Sequence, residues 1–327
     1  IYKVVVSSRA RAQTSAPLEN PQVWSFRTVP PPQLIKNDPE DDAISVGVNA
    51  PVQLDFVGAI DPDTLAANIR VEPQPEASQL YRYFDESSRV YTLRWDRKPR
   101  TEYCVKVLSG ISDVYGHTLE EDTSFCFVTG DLSTRLELPV STEMVTMDAN
   151  RPSILYLGAR NVDDVSFVLS EYDESTAISQ RPLEGGEVLS EWTEEFDVPP
   201  NQGQLVPLYL RRLQGALPTG FYGLEWQIGQ ESYGPHNIGI AVVDRHLSLK
   251  MTREEALVWV TDLESGSPVT RTAVRLIDNQ GLLIAGGTTN DEGLARIPIS
   301  PVGNLWNRVA AVNGDAGEPG FGVAMTQ

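Results

Sequence analysis

The feature that most constrains this chain is an internal repeat that needs no gap. Residues 1–29 align with 102–130: Tyr2 with Tyr103, Val4 with Val105, Val6 with Val107, Leu18 with Leu119, Trp24 with Phe125, Phe26 with Phe127 and Thr28 with Thr129. The offset is constant (103 − 2 = 101 and 129 − 28 = 101). A fixed period of roughly 100 residues marks tandem domains, and that length suits one small β-sandwich. Residues 1–29 therefore read as the last two strands of one module, whose remainder lies upstream. Half a sandwich leaves a sheet face and edges open, so this hairpin is expected to be mobile or to lean on a neighbour. Val29-Pro30-Pro31-Pro32 is the linker, and its prolines favour an extended, stiff conformation.

Alternating apolar residues dominate the rest, and long helical patterns are scarce, so the expected fold is all-β: tandem antiparallel β-sandwiches. Single helical turns are expected at 62–68 and 252–256. Residues 30–130 form a complete module with strands over 51–56, 69–71, 80–84, 90–95, 102–108 and 123–129. Residues 131–245 form a third, with strands over 150–159, 162–172, 205–211 and, most clearly, 220–228, where Tyr222, Leu224, Trp226 and Ile228 alternate with other positions. The acidic, weakly patterned stretch 173–200 reads as a long loop. Residues 246–327 form a fourth module of seven strands. In it, 256–263, 272–277 and 282–285 are separated by Glu264-Ser265-Gly266-Ser267-Pro268 and Asp278-Asn279-Gln280-Gly281, with Asn290-Asp291-Glu292-Gly293 following. Gly and Asn tolerate positive φ and Pro presets a turn corner, so each cluster reverses the chain. The stretch reads as a β-meander, closed by strands over 309–312 and 322–325.

The net charge of −19 over 327 residues disfavours nucleic acid and anionic lipid, which need clustered Lys and Arg. No apolar run approaches the roughly 18 residues that span a bilayer. No charged-then-apolar leader opens the chain, so an export signal is expected to have been removed or to lie outside this stretch.

Three resemblances come from particular residues. In 30–130, Asp113-Val114-Tyr115-Gly116-His117-Thr118-Leu119 and the closing Phe125-Cys126-Phe127-Val128-Thr129 resemble the bacterial Ig-like domains of surface-layer and envelope proteins. The first copy keeps only Leu18 of that step. In the third module, Leu217-Pro218 leading through Gly220 to Tyr222, and Arg160-Asn161-Val162 leading to Val165, Phe167 and Leu169, resemble macroglobulin domains. In the fourth, Val258, Val260-Thr261-Asp262-Leu263, Ser265-Gly266, Pro268-Val269, Ala273-Val274, Leu276, Thr288-Thr289, Asp291 and Gly293-Leu294-Ala295 resemble a macroglobulin domain from the N-terminal half of bacterial alpha-2-macroglobulin-like proteins. That resemblance implies an endopeptidase inhibitor that entraps proteases after a bait segment is cut, located outside the cell or in its envelope, with any membrane anchor beyond this stretch. Many members carry a Cys-x-Glu-Gln thioester motif. Here Cys104 is followed by Val105-Lys106 and Cys126 by Phe127-Val128, so the motif is absent, as is any recognisable bait segment. The chain would then be non-catalytic scaffold. The alternative is an adhesin or spacer of tandem Ig-like modules that binds glycans or proteins.

No constellation of residues argues for catalysis, a cofactor or a metal. Cys104 and Cys126 lie on the outer faces of neighbouring antiparallel strands, where they can be directly opposed. A disulfide and two free thiols are both open readings, since the equivalent positions, Lys3 and Ser25, do not demand a pair. His117, His236 (after Gly234-Pro235) and His246 have no second ligand at metal spacing. Asp38, Glu40, Asp41 and Asp42, and the pair Asp61 and Asp63, are weighed as a calcium site against a solvated loop, and the loop is preferred. The six tryptophans read as core, with a carbohydrate platform as the minor alternative.

Overall fold

The computed structural model describes all residues except 29, 141, 143, 180–184, 211–214, 230–235, 300–308 and 326–327, so Val29 of the linker lies outside the described residues. The chain forms two compact units, Ile1–Leu132 and Ser133–Gln327.

The first unit opens with a two-stranded hairpin, Tyr2–Val6 against Gln22–Phe26. A two-sheet sandwich follows. One sheet has the order Ala43–Val46, Thr123–Thr129, Glu102–Val107, Ile69–Glu72, and the other Gln33–Asp38, Val52–Val57, Val90–Arg94, Tyr81–Asp85. Val52, Leu54, Phe56, Tyr91 and Leu93 alternate inward from one sheet and meet Tyr103, Val105, Val107, Phe125 and Phe127 from the other. Arg97 closes one end of this core. Its guanidinium lies 5.0 Å from the Trp95 ring centre and 5.4 Å from that of Phe127, and it donates to the carbonyls of Val48 and Ala50. The helix Pro62–Asn68 stands where the sequence places it. Asp61 caps it by accepting from the Asp63 amide at 3.1 Å, Pro62 fits the first turn, and Leu65 is buried.

The second unit is a stack of four sheets. The first contains Arg135–Glu137, Ile154–Arg160 and Gln204–Tyr209. The second has the order Met144–Asp148, His236–Val243, Gly220–Ile228, Asp164–Tyr172, Glu187–Glu195. The third has Leu283–Thr288, Ala273–Asp278, Val309–Asn313, Gly322–Met325, and the fourth Arg245–Met251, Glu255–Asp262, Leu294–Pro298. Leu155, Leu157, Val206 and Leu208 pack against Phe167, Leu169, Tyr222, Leu224 and Ile240 between the first and second sheets. Val274, Leu276 and Ala311 pack against Val258, Val260, Ala295 and Ile297 between the third and fourth.

The class is all-β as the alternation requires, and among the described residues two strand pairs depart from antiparallel pairing. Ala43–Val46 runs parallel to Thr123–Thr129, and Met144–Asp148 parallel to His236–Val243. Three local expectations fail. The stretch 173–200 is not one loop: it holds the helix Glu174–Ser179 and the nine-residue strand Glu187–Glu195, paired with Asp164–Tyr172. Glu187–Glu195 is an edge strand exposed along most of its length, so burial imposes no apolar alternation on it. No helix forms over 252–256. There the Thr252 hydroxyl accepts the amides of Glu254 and Glu255 in a tight turn, and a strand starts at Glu255. The stretch 256–299 is not a meander either, because Glu255–Asp262 and Ala273–Asp278 belong to different sheets.

Candidate functional site: a shared core joining two sandwiches

The strands Gly220–Ile228 and His236–Val243 are buried on both faces over much of their length. One face supplies Tyr222, Leu224, Ile238, Ile240 and Val242 to its own sandwich. The other supplies Phe221, Ala241 and Val243 to a further core, with Tyr172, Ala177 and Ile178. The third sheet meets it with Ile277, Ala310, Val312 and Val323, and Phe321 stands beside them. The Phe221 and Phe321 rings meet edge to face, 5.4 Å apart with planes at 81°. Small residues (Ala177, Ala241, Ala310) fill this layer, so the two sheets need little space between them. The outer face of each sandwich is therefore interior.

Polar links surround that core. Arg275 donates to both carboxylate oxygens of Glu174, at 2.9 and 3.0 Å, and to the carbonyl of Gly314 at 2.9 Å. Both side chains are partly buried, at 37% and 21% exposed, and the paired geometry makes this a stronger contact than a fully exposed ion pair. Glu174 is held there by its helix. Asp173 caps it, accepting from the Ser175 hydroxyl and from the amide and hydroxyl of Thr176, and those bonds hold the Asp173 carboxyl down to about 2. Thr219 donates its hydroxyl to the Glu318 carbonyl at 2.9 Å and accepts the Gly317 amide at 2.7 Å. At the crossover between sandwiches, Asp244 accepts the Gly320 amide, and Arg245 donates to Asn313 and Thr272. These residues position and stiffen, and none of them is arranged as a nucleophile with a base.

Cys104 and Cys126 are directly opposed in register and joined by a disulfide, 4.0 Å between Cα atoms. The Cys126 amide donates to Asp41, and its carbonyl accepts the Asp42 amide, so both backbone groups turn away from Cys104. The pair is thus a non-hydrogen-bonded one, the position where opposed Cα atoms lie closest. Asp41 of the acidic run is occupied as a strand staple. Among the described residues no group of three or more His, Cys, Asp or Glu side chains is placed to hold a metal. His117 lies 3.0 Å from Asp113. Burial raises the Asp113 carboxyl, but the ring and amide of His117 and the amide of Tyr115 outweigh it, and the net shift is downward. His236 stacks on Trp226, and Gly234-Pro235 before it lies outside the described residues. His246 meets Ser248. Trp95 and Trp226 are core, Trp192 stacks on Phe167, Trp259 donates to the Glu292 carbonyl from a half-exposed position, Trp24 is exposed, and Trp306 lies outside the described residues.

The Glu174–Arg275 link was not foreseen, and nothing local signals a pair 101 residues apart. The shared core did leave a signal. The runs Ile238-Gly239-Ile240-Ala241-Val242-Val243 and Val309-Ala310-Ala311-Val312 are apolar at every position, which marks two-sided burial.

With this geometry in view, two domain families match the chain: the bacterial Ig-like domain over residues 29–129 and the bacterial alpha-2-macroglobulin MG3 domain over residues 242–312. A curated alpha-2-macroglobulin from Ralstonia nicotianae is 35% identical over 116 residues, which is 35% of this chain and 6% of that protein. A solved structure of native alpha-2-macroglobulin from Escherichia coli, spanning domains MG0, NIE and MG1, is 15% identical with a TM-score of 0.52, over 90% of this chain and 96% of that one. Salmonella alpha-2-macroglobulin reacted with methylamine is 13% identical with a TM-score of 0.68, over 89% of this chain and 18% of that one. At such identities the solved structures speak for the fold alone.

Proposed function

We propose that this bacterial alpha-2-macroglobulin-like chain, an Ig-like module followed by macroglobulin domains, is non-catalytic scaffold in an endopeptidase trap at the cell envelope. It covers a small part of its curated relative, so the trapping activity, the captured proteases and any anchor belong to the whole protein. The working division is a partial Ig-like hairpin over 1–29, an Ig-like module over 30–130, and macroglobulin-like modules over 131–245 and 246–327.

The observation that carries this reading is the shared core under Phe221 and Phe321, with Glu174–Arg275 beside it. A cage spares large substrates only if its walls keep their spacing while a captured protease moves inside. Two sandwiches joined through a dry third core meet that demand, because separating them would expose Phe221, Phe321, Val243 and Val312 together at about 25 cal/mol per Å² of apolar surface. The Cys104–Cys126 bond supports a site outside the reducing cytoplasm. No helix among the described residues is long and apolar enough to cross a membrane.

The test uses the full-length native protein mixed with excess trypsin-like protease. The complex is isolated by size and assayed on a small peptide and on a large protein substrate. Cleavage of the small substrate with sparing of the large one is the expected result. Failure of the protease to co-elute, with both substrates cut normally, would remove the trap reading.

A further inference from the structure

The hairpin Tyr2–Val6 and Gln22–Phe26 reproduces, at the 101-residue offset, the register of Glu102–Val107 and Thr123–Thr129. Tyr2 opposes Phe26 as Tyr103 opposes Phe127, Val4 opposes Trp24 as Val105 opposes Phe125, and Lys3 opposes Ser25 as Cys104 opposes Cys126. The connecting loops share a set of backbone hydrogen bonds. The Ala12 amide donates to the Ala16 carbonyl as that of Asp113 does to His117. The Ser15 amide donates to Ala12 as that of Gly116 does to Asp113, and the Leu18 amide to Ala10 as that of Leu119 does to Ile111. The first copy is thus the same structural piece, although its loop sequence differs almost throughout.

In the second copy every neighbour of this piece comes earlier in the chain. Ile69–Glu72 lies antiparallel on the outer edge of Glu102–Val107, Ala43–Val46 lies parallel on the outer edge of Thr123–Thr129, and the sheet that begins with Gln33–Asp38 covers the apolar face. In the first copy both edges are unpaired among the described residues, and Tyr2, Trp24 and Phe26 are exposed. The strands between the two hairpins are already committed to the second sandwich.

We infer that the apolar face of Tyr2, Val4, Trp24 and Phe26 docks the stretch of this chain that precedes Ile1. That occupant is about 70 residues long, by the span from Gln33 to Glu102 (102 − 33 = 69) in the second copy. It supplies one strand antiparallel to Tyr2–Val6, one strand parallel to Gln22–Phe26, and a facing sheet that closes an Ig-like core. Lys3, Val5, Val23 and Ser25 remain on the outer face. The alternative occupant, a second copy of this chain, could lay its own open hairpin face on this one, but that face has two strands, whereas a four-stranded sheet covers the equivalent face in residues 30–130.

The experiment compares the natural chain, extended before Ile1, with residues 1–327. Oxidative labelling of Trp24 is read by mass spectrometry, with Trp95 as the buried reference. Trp24 is expected to label several-fold more slowly in the longer chain and to approach Trp95 there. Trp24→Lys should abolish an unfolding transition that only the longer chain shows, and Val23→Lys, on the outer face, should leave it in place. Equal labelling of Trp24 in both chains, or a natural chain that starts within a few residues of Ile1, would overturn the inference. So would a concentration-dependent dimer of residues 1–327 lost in Trp24→Lys, with Trp24 unprotected in the longer chain, because the occupant would then be a second copy. The labelling needs no variant, so misfolding of Trp24→Lys leaves the test intact, and its outcome is independent of the trapping assay.

Discussion

Two hairpins in this molecule share a register, a loop fold and an apolar face, yet one is core and the other surface. Phe125 and Phe127 are 4% and 1% exposed, whereas Trp24 and Phe26, at the same places 101 residues earlier, are 51% and 49% exposed. The hairpin's own sequence sets which residues share a face. Only the strands around it decide whether that face is dry. A second difference lies on the outer face, where Cys104 and Cys126 are bonded and Lys3 and Ser25 are not.

The sharpest way to break the equivalence is to cut the same ring from both copies. Phe127→Ala should cost about 3–5 kcal/mol, the usual loss for a buried phenylalanine, while Phe26→Ala in residues 1–327 should cost less than about 0.5 kcal/mol. Hydrogen exchange of the Glu102–Val107 and Tyr2–Val6 amides reads the two hairpins separately. A large loss in both would mean that the first face is covered.

Next in size is the disulfide. Replacing Cys104 and Cys126 by Ser should remove about 2–4 kcal/mol, as expected for a bridge that closes a short loop. Conversely, Lys3→Cys with Ser25→Cys should form a second bridge without help, because those positions are opposed in the same register. Intact mass with and without reductant should show the extra two-proton loss. Two free thiols there would show that the registers differ in solution.

A smaller difference depends on pH. Asp113 has no counterpart in the first copy, where Ala12 stands. Because its carboxyl is depressed in the folded state, its contribution is complete above the ordinary carboxylate pKa of about 3.9 and is lost as pH falls through the depressed value. Thermal melts of the parent should therefore weaken more steeply below about pH 4 than melts of Asp113→Asn. Parallel curves would assign the acid sensitivity to other groups, such as Asp85 and Asp173, both held down to about 2.

The smallest effect is at the loop corner. Ser15 sits at φ 68° where the second copy has Gly116 at φ 87°. Ser15→Gly should relieve about 1 kcal/mol of left-handed strain, and Gly116→Ser should introduce a similar amount. A Cβ at Gly116 would touch nothing within 4 Å, so conformation alone should set the change. Loop amide exchange should move in opposite directions in the two variants.

Much of this was legible in the residues. The gapless repeat, the helix at 62–68, and the alternation of Tyr222, Leu224 and Trp226 each rest on local chemistry, which a sequence displays directly. The edge strand Glu187–Glu195 was not legible, because an exposed edge needs no apolar period. The turn at 252–256 read as a helix because Thr252 caps a reverse turn with the same bonds that start a helix. At the candidate site, the apolar runs 238–243 and 309–312 carried a usable signal, while Glu174 and Arg275 carried none.

By itself the sequence determined where the chain reverses, which side chains share a face, and that 1–29 and 102–130 are one motif used twice. Those are consequences of turn chemistry and of the two-residue period of a strand. The tertiary structure alone decided that the chain leaves one sheet for another after Asp262, that Cys104 and Cys126 are joined, and that Phe221 meets Phe321 between two sandwiches. A turn fixes a change of direction but not the edge on which the next strand pairs. A side chain's face becomes core only when residues distant in sequence arrive to exclude water from it.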